Sequence, residues 1–149
     1  MTVFSGYSEG WALYAENLAV EMGMYDRDVL GHIGMIHDAM FRAVRLVVDS
    51  GMHHKRWSRE QAVKYMVDNI GDNEATAVTE IERYCVWPGQ ASSYMVGKIT
   101  WLNARERAKK ALGPKFDIRK FHDAGLLAGG VPLTVLDRVV DNYIASAKA

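Results

Sequence analysis

Apolar residues recur every three or four positions along most of the chain, and no stretch sustains the apolar–polar alternation of a β-strand. The spacing predicts a first helix from about Ser8 to Gly23, with the apolar stripe Trp11, Ala15, Leu18 and Met22. It predicts a longer second helix from about Asp28 to Ser50, with the stripe Val29, Ile33, Ile36, Met40, Val44 and Val47. Gly51 is expected to end this second helix in a left-handed conformation.

Capping signals mark the next two helices. Ser58 and Gln61 have the spacing of a capping box, which predicts that a third helix begins there. Asp72 or Asn73 caps a fourth helix, which is broken at Trp87-Pro88-Gly89 because the residue before proline avoids helical geometry. The side chains that this fourth helix is expected to direct inward are Val78, Ile81 and Cys85.

Three more helices complete the predicted fold. A fifth spans about Gln90 to Leu112, a short sixth begins at Asp117, and a seventh begins at Pro132. The inward residues of the last helix are Leu133, Leu136, Val140 and Tyr143. The pattern therefore predicts an all-α array of about seven helices with short loops, forming a single domain over residues 1–149.

Composition excludes several classes of function. The 149 residues are 49% hydrophobic and 24% charged with a net charge of zero, which is typical of a globular protein and gives no electrostatic footprint for nucleic acid. No run reaches the ~20 apolar residues of a membrane span, so no transmembrane segment is expected. Cys85 is the single cysteine, which excludes an internal disulfide, and we expect it to fill the core. The cellular compartment is left open.

The first helix carries two carboxylates, Glu9 and Glu16, in a segment rich in large apolar residues. Seven residues of helix rise about 10 Å, so the two acids share a face but cannot form a close carboxylate pair. An acid beside apolar side chains needs a cation, a metal or a hydrogen-bond donor. The alternative is that Glu9 belongs to the first turn, where a carboxylate favours the helix dipole.

Two other segments carry candidate chemistry. Asp38, Arg42, Arg45 and Asp49 recur at four, three and four residues along the second helix, and His53 follows the predicted stop. The alternatives are a solvated charged face and a histidine that interacts with the helix dipole. Further on, the Pro-Gly break followed by Gln90 and Tyr94 predicts polar side chains facing a cleft, although a helical tyrosine is as often a core residue.

Four ordered blocks resemble the bacterial domain-of-unknown-function 885 family, whose members are similar to gluzincin-type metallopeptidases. The resemblance covers about Tyr7 to Ile144, and its blocks are Glu-Gly-Trp-Ala-Leu-Tyr-Ala-Glu, Arg-Leu-Val-Val-Asp, Trp-Pro-Gly-Gln-Ala and the Phe-His-Asp stretch. It implies a gluzincin-like helical fold, of which this chain is the C-terminal part. The family's upstream His-Glu-x-x-His-like helix, with two histidine ligands and the catalytic glutamate, is absent from this chain.

The resemblance also implies roles for individual residues. Glu9 would be the third zinc ligand, and Glu16 would orient a histidine ligand or pair with an arginine. His53, held by Asp49, and Tyr94 would stabilise the oxyanion.

For substrate binding, the resemblance implies contacts from three residues. Arg42 and Arg45 would grip a substrate carboxylate or pair with buried acids, and Gln90 would contact the substrate or the backbone. His122, in the last block, is interpreted as a packing residue rather than a ligand.

The resemblance implies that this chain forms the active-site wall of a zinc-dependent, peptidase-like hydrolase acting on a peptide-like substrate. Without the upstream helix we expect this chain alone to be catalytically silent and to bind zinc weakly. Its expected partner is the upstream half of a longer protein or a second copy of the chain. The alternatives are a non-enzymatic helical module that self-associates through an apolar patch, and a buried ion-pair network of Glu9, Arg42, Arg45 and Asp49.

Overall fold

The predicted all-α class is confirmed by a computed structural model, which describes residues 4–148. Within that range the chain forms seven α-helices, one short 3₁₀ turn at Gly113–Lys115 and no strand. The helices are α1 (Ser5–Glu21), α2 (Val29–His53), α3 (Arg59–Ile70), α4 (Glu74–Val86), α5 (Gln90–Leu112), α6 (Ile118–Leu127) and α7 (Leu133–Lys148). None of the helices in the described range is long and apolar enough to cross a membrane.

Helix α5 joins two hydrophobic clusters. Its carboxyl half contributes Trp101, Ala104 and Ala108 to a core shared with α1, α6 and α7. Its first turn contributes Ala91 to a second core, shared with α2, α3 and α4. The amino end of α5 therefore lies where the two halves of the molecule meet.

Helices α1 and α5 cross with their backbones in direct contact. A Cβ atom added to Gly10 would overlap the backbone of Gly97, and one added to Gly97 would overlap the Gly6 carbonyl oxygen. Only glycine allows this approach, because any side chain would separate the two helices. The crossing brings the beginning of α1 beside the beginning of α5.

The predicted stripe of α1 was only partly right: Trp11 and Leu18 pack against the first core, but the most buried face of the helix is a different one. The buried residues are Tyr7, Gly10, Leu13 and Tyr14, and the helix begins at Ser5, three residues before the expected start. Trp11, Ala15 and Leu18 are only half-buried, and Met22 is 83% exposed. The apolar pattern missed the contact face because that face is centred on a glycine.

The prediction for α2 was wrong in its amino-terminal half. Val44 is the only buried member of the expected stripe, and the helix packs into the second core only from about Phe41 onward. Nor does Gly51 end α2: it is helical and buried beneath the Trp57 ring, where a Cβ atom would approach the ring to 2.7 Å. The exposed members of the stripe are Val29, Ile33, Ile36, Met40 and Val47.

The predicted caps of α3, α4 and α6 are confirmed, and the structure decides between the two residues predicted to cap α4. Ser58 and Gln61 form the reciprocal capping box, and Asn73 rather than Asp72 caps α4 through its side-chain oxygen. Asp117 caps α6 as expected. Cys85, expected in the core, is exposed, because the inward face of α4 passes through Tyr84 instead.

The glycine crossing leads to a stability prediction. We expect Gly97→Ala to lower the free energy of unfolding by about 3 kcal/mol or more, since the new methyl group meets backbone that cannot move aside. Gly34→Ala is the matched control, because a Cβ atom at that exposed helical position meets nothing within 4 Å. The control should stabilise the chain by up to ~1 kcal/mol. Urea unfolding followed by circular dichroism measures both, and equal effects would contradict the role of the crossing.

Candidate functional site

The break between α4 and α5 is held by a carboxylate from α2. Asp49 is 2% exposed and accepts hydrogen bonds from the backbone N–H groups of Gly89, at 3.2 Å, and Ser92, at 2.9 Å. Gly89, the N-cap residue of α5, has a φ of +85° and no capping side chain of its own. Asp49, which belongs to α2, therefore caps the amino terminus of α5. Its negative charge also interacts favourably with the dipole of α5.

His53 lies one turn after Asp49 and contacts the end of α4. Its Nε2 is 3.0 Å from the Tyr84 carbonyl oxygen and 3.4 Å from Asp49 Oδ1. Since both neighbours are acceptors, this nitrogen carries the proton and donates it. His53 therefore holds the end of α4, and Asp49 holds the start of α5. The Nε2–H group of His53 is already used in the hydrogen bond to the Tyr84 carbonyl oxygen.

Arg45 is a buried cation in an aromatic environment. The residue is 3% exposed, and its Cζ lies 4.5 Å from the ring centroid of Tyr94 and 5.4 Å from that of Tyr84. One terminal nitrogen donates to Gln90 Oε1 at 3.1 Å. The buried Nε has no hydrogen-bond partner, and no carboxylate within the described residues forms an ion pair with Arg45.

A second arginine, Arg83, reaches the same amide oxygen. It donates to Gln90 Oε1 at 3.2 Å and also to Glu80, at 2.6 Å from its other terminal nitrogen. Burial raises the pKa of Glu80, but the hydrogen bonds from Arg83 and Tyr84 outweigh it and leave that pKa lowered. Burial and the hydrogen bond donated to Glu80 raise the pKa of Tyr84. Glu80 is thus charged and paired with Arg83.

In front of this network lies an open cleft of about 450 Å³. Glu9 from α1 and Gln90 from α5 both line it, so the structure brings these two predicted site residues together. No hydrogen bond or ion pair to the Glu9 carboxylate occurs within residues 4–148. The remaining lining residues are Ser5, Ser8, Trp87, Pro88 and Gly89.

The position of Glu9 argues against the alternative that this carboxylate belongs to the first turn of α1 and serves the helix dipole. Because α1 begins at Ser5, Glu9 lies in the second turn, and the first turn of α1 contains no acid. The helix dipole acts mainly within the first turn and does not account for this carboxylate. Glu9 therefore remains a cleft-facing acid.

The residues present do not fit a complete zinc site. Zinc takes several nitrogen, sulfur or oxygen ligands in a tetrahedral arrangement. No group of three or more His, Cys, Asp or Glu side chains in the described part of the chain is placed to hold a metal. Glu9 is suited to be one ligand in a site whose other ligands come from elsewhere.

Glu16 and Arg42 belong to a separate charged cluster farther along α1 and α2. Burial and the charge of Asp38 raise the pKa of Glu16, against the opposing charges of Arg42 and Lys98. Burial lowers the pKa of Lys98, which is 9% exposed. Arg42 pairs with Asp38 at 3.3 Å rather than with Glu16.

The four residues of the suggested ion-pair network therefore do not pair with one another within residues 4–148. Glu9 faces the cleft, Arg42 pairs within α2, Asp49 caps α5, and Arg45 has no acidic partner in the described residues. Tyr94 lies on α5 with its ring against Arg45 and Arg42, and its hydroxyl makes no hydrogen bond in that part of the chain.

Sequence reasoning assigned no role to Arg83 or Lys98. Gln90, Tyr94 and Lys98 recur every four residues, and this spacing could have predicted that Lys98 shares the inward polar face of α5. Arg83 lies just before the Pro-Gly break and three residues after Glu80, a spacing typical of a helical ion pair. No local pattern in the sequence predicts the contact between Arg83 and Gln90.

Packing around His122 follows the interpretation made from sequence. The imidazole Nε2 is 2.8 Å from the Tyr14 hydroxyl and lies edge-on to Trp11. Burial, followed by the charge of Arg105, lowers the pKa of His122, so the neutral ring is favoured. This contact joins the first and last sequence blocks.

Comparisons with known proteins agree on family and fold. The family described as "Bacterial protein of unknown function (DUF885)" matches residues 1–140. A crystal structure described as the "putative lipoprotein from Colwellia psychrerythraea" is 51% identical and superposes with a TM-score of 0.92 over 96% of this chain. The match spans only 24% of that longer chain. No curated protein matches significantly.

The cap supplied by Asp49 leads to a second stability prediction. We expect Asp49→Ala to lower the free energy of unfolding by about 3 kcal/mol, because the backbone N–H groups of Gly89 and Ser92 both lose a charged acceptor in a partly buried position. Asp28→Ala is the control: Asp28 caps its own helix at an exposed position, and its loss should cost ~1 kcal/mol. Guanidinium unfolding compares the two, and an equal or smaller cost for Asp49→Ala would contradict the role of Asp49 as the cap of α5.

Proposed function

This chain belongs to the DUF885 family of bacterial proteins, and we propose that within a longer family protein it forms one wall of a zinc-dependent, peptidase-like active site. The observation that carries the proposal is the position of Glu9. Its carboxylate lines a cleft opposite the start of α5 and has no partner within residues 4–148. A half-buried acid at such a position is a candidate metal ligand.

In this proposal Glu9 is the one zinc ligand that the chain supplies, and the other ligands come from the rest of the longer protein. When bound, zinc supplies a Lewis acid that polarises the peptide carbonyl group. The residues around the cleft bind and orient the peptide. We expect the chain alone to be inactive, because residues 4–148 hold no group of metal ligands around Glu9 and the general base that the family resemblance implies lies upstream.

Of the two predicted oxyanion donors, Tyr94 fits the role better than His53. The Tyr94 hydroxyl makes no hydrogen bond in the described part of the chain, whereas His53 Nε2 already donates to the Tyr84 carbonyl oxygen. Glu16 is proposed as a supporting acid, since Lys98 and Arg42 are the cations near it. Asp49 positions the Gly89–Gln90 edge of the cleft.

A second candidate function is suggested by an exposed apolar surface, here called the α2 surface: Val29, Leu30, Ile33, Ile36 and Met40 are 71%, 80%, 57%, 53% and 49% exposed. Contiguous apolar surface of this kind usually contacts another protein segment. We propose that its occupant is the remainder of a longer family chain, because the 51% identical relative has this fold as only 24% of its length. The self-associating module is the alternative that the test distinguishes.

The metal proposal is tested through the zinc content of the extended polypeptide. The coding DNA upstream of Met1 is read in frame, and the encoded protein is produced with and without Glu9→Gln. We expect a His-Glu-x-x-His-like segment, bound zinc, and a loss of zinc affinity of at least roughly 100-fold in the variant, since even residues that only support ligands contribute 10–100-fold. Ser8→Ala, in the same cleft, should keep its zinc.

Two results would contradict this proposal. One is full zinc occupancy in Glu9→Gln. The other is chelator-sensitive peptide hydrolysis by the 149-residue chain alone, which we expect to be silent and to bind zinc weakly.

The α2 surface is tested by the paired substitution Ile33→Ser and Ile36→Ser. In the chain alone it should leave the free energy of unfolding within about 0.5 kcal/mol, because both side chains are exposed. In the extended polypeptide it should cost about 2–5 kcal/mol, because both become buried. Leu127→Ser, at an 87% exposed position elsewhere, is the control. If light scattering shows that the chain alone is a dimer, and the double substitution makes it a monomer, the occupant is instead a second copy of the chain.

A further inference from the structure

Arg45 is buried without the partner that a buried cation requires. A guanidinium removed from water is stable only when its charge and its N–H groups are compensated. Here the aromatic rings of Tyr84 and Tyr94 supply part of the compensation, and one neutral oxygen, Gln90 Oε1, accepts a hydrogen bond. The Nε–H group has no acceptor among residues 4–148.

The oxygen that Arg45 contacts has the surroundings of a carboxylate oxygen. Gln90 Oε1 accepts from Arg45 at 3.1 Å and from Arg83 at 3.2 Å, so two cations converge on one neutral atom. Charge-assisted hydrogen bonds to a carboxylate are roughly twice as strong as those to an amide oxygen. An anionic ligand would therefore hold this position better than the amide.

Neither of the two nearby acids, Glu80 and Asp49, forms an ion pair with Arg45. Glu80 is paired with Arg83 and accepts from Tyr84. Asp49 is engaged by the backbone N–H groups that begin α5 and by His53. Within residues 4–148 Arg45 forms no ion pair, although its charge, beyond ion-pair distance, helps to lower the pKa of Glu80.

Gln90 both lines the cleft and contacts the two arginines. Its half-buried side chain lines the cleft beside Ser8 and Glu9, while its oxygen reaches back to the two guanidinium groups. The cleft and the two guanidinium groups are therefore linked through this one side chain.

We propose that Arg45 and Arg83 form a receptor for the free C-terminal carboxylate of a peptide, and that Gln90 occupies this receptor until the ligand displaces it. The ligand carboxylate replaces Gln90 Oε1, and the preceding residues of the peptide lie along the cleft towards Glu9. The inference deepens the proposed function and rests on it for the peptide nature of the ligand. Carboxylate binding itself requires neither metal nor hydrolysis.

The test is a nuclear magnetic resonance titration of the 149-residue chain with N-acetylglycine, in a buffer free of carboxylate and phosphate. N-acetylglycinamide, which lacks the charge, is the matched control ligand. We expect saturable shifts of the Gln90 side-chain NH₂ and Arg45 Nε–H resonances with the acid and none with the amide.

Three variants test the mechanism of displacement. Gln90→Ala should bind the acid about tenfold more tightly, since the ligand no longer has to break the hydrogen bonds that Arg45 and Arg83 donate to the amide oxygen. Gln90→Glu should abolish binding and raise Tm, because its own carboxylate fills the receptor. Arg45→Met, which keeps the apolar stem, should weaken binding at least tenfold.

The proposal is overturned if neither the wild-type chain nor Gln90→Ala binds the acid, if the amide binds equally well, or if Gln90→Glu binds like wild type. Because Gln90 is half-exposed, its variants remain informative even if Arg45→Met fails to fold. Failure of the zinc experiment would leave these results unchanged, so the two proposals can fail separately.

Discussion

The backbone contact between Gly10 and Gly97 is the constraint on which the candidate site depends. It allows α1 and α5 to approach more closely than any pair of side chains would permit. Glu9, next to Gly10, is thereby brought to the same cleft as Gln90, seven residues before Gly97. A wider crossing would separate the acid from the start of α5 and divide the cleft.

The carboxyl half of α2 supports the other side of this cleft. Arg45, Asp49 and His53 follow one another at four-residue intervals, so a single helical face contacts the whole α4–α5 break. Buried charged groups contribute little net stability when they are compensated, but they strongly disfavour alternative arrangements of the backbone that they bind. This explains how a Pro-Gly break can present a fixed edge.

Two features of the chain are chemically incomplete by themselves. Glu9 offers one carboxylate where a metal needs several ligands, and the α2 surface exposes apolar side chains that water solvates poorly. Both are consistent with a fold that forms about a quarter of the 51% identical relative.

The sequence by itself determined the helices, most of their ends and the candidate site residues. It could do so because periodicity, caps and Pro/Gly breaks act over a few neighbouring residues. It could not show which apolar stripe has a neighbour: Val44 is covered and Ile33 is not, although both fit the same pattern. It missed the glycine face of α1 and the meeting of Arg45 and Arg83 at Gln90. Those features depend on contacts between residues distant in the chain, which only the tertiary structure decides.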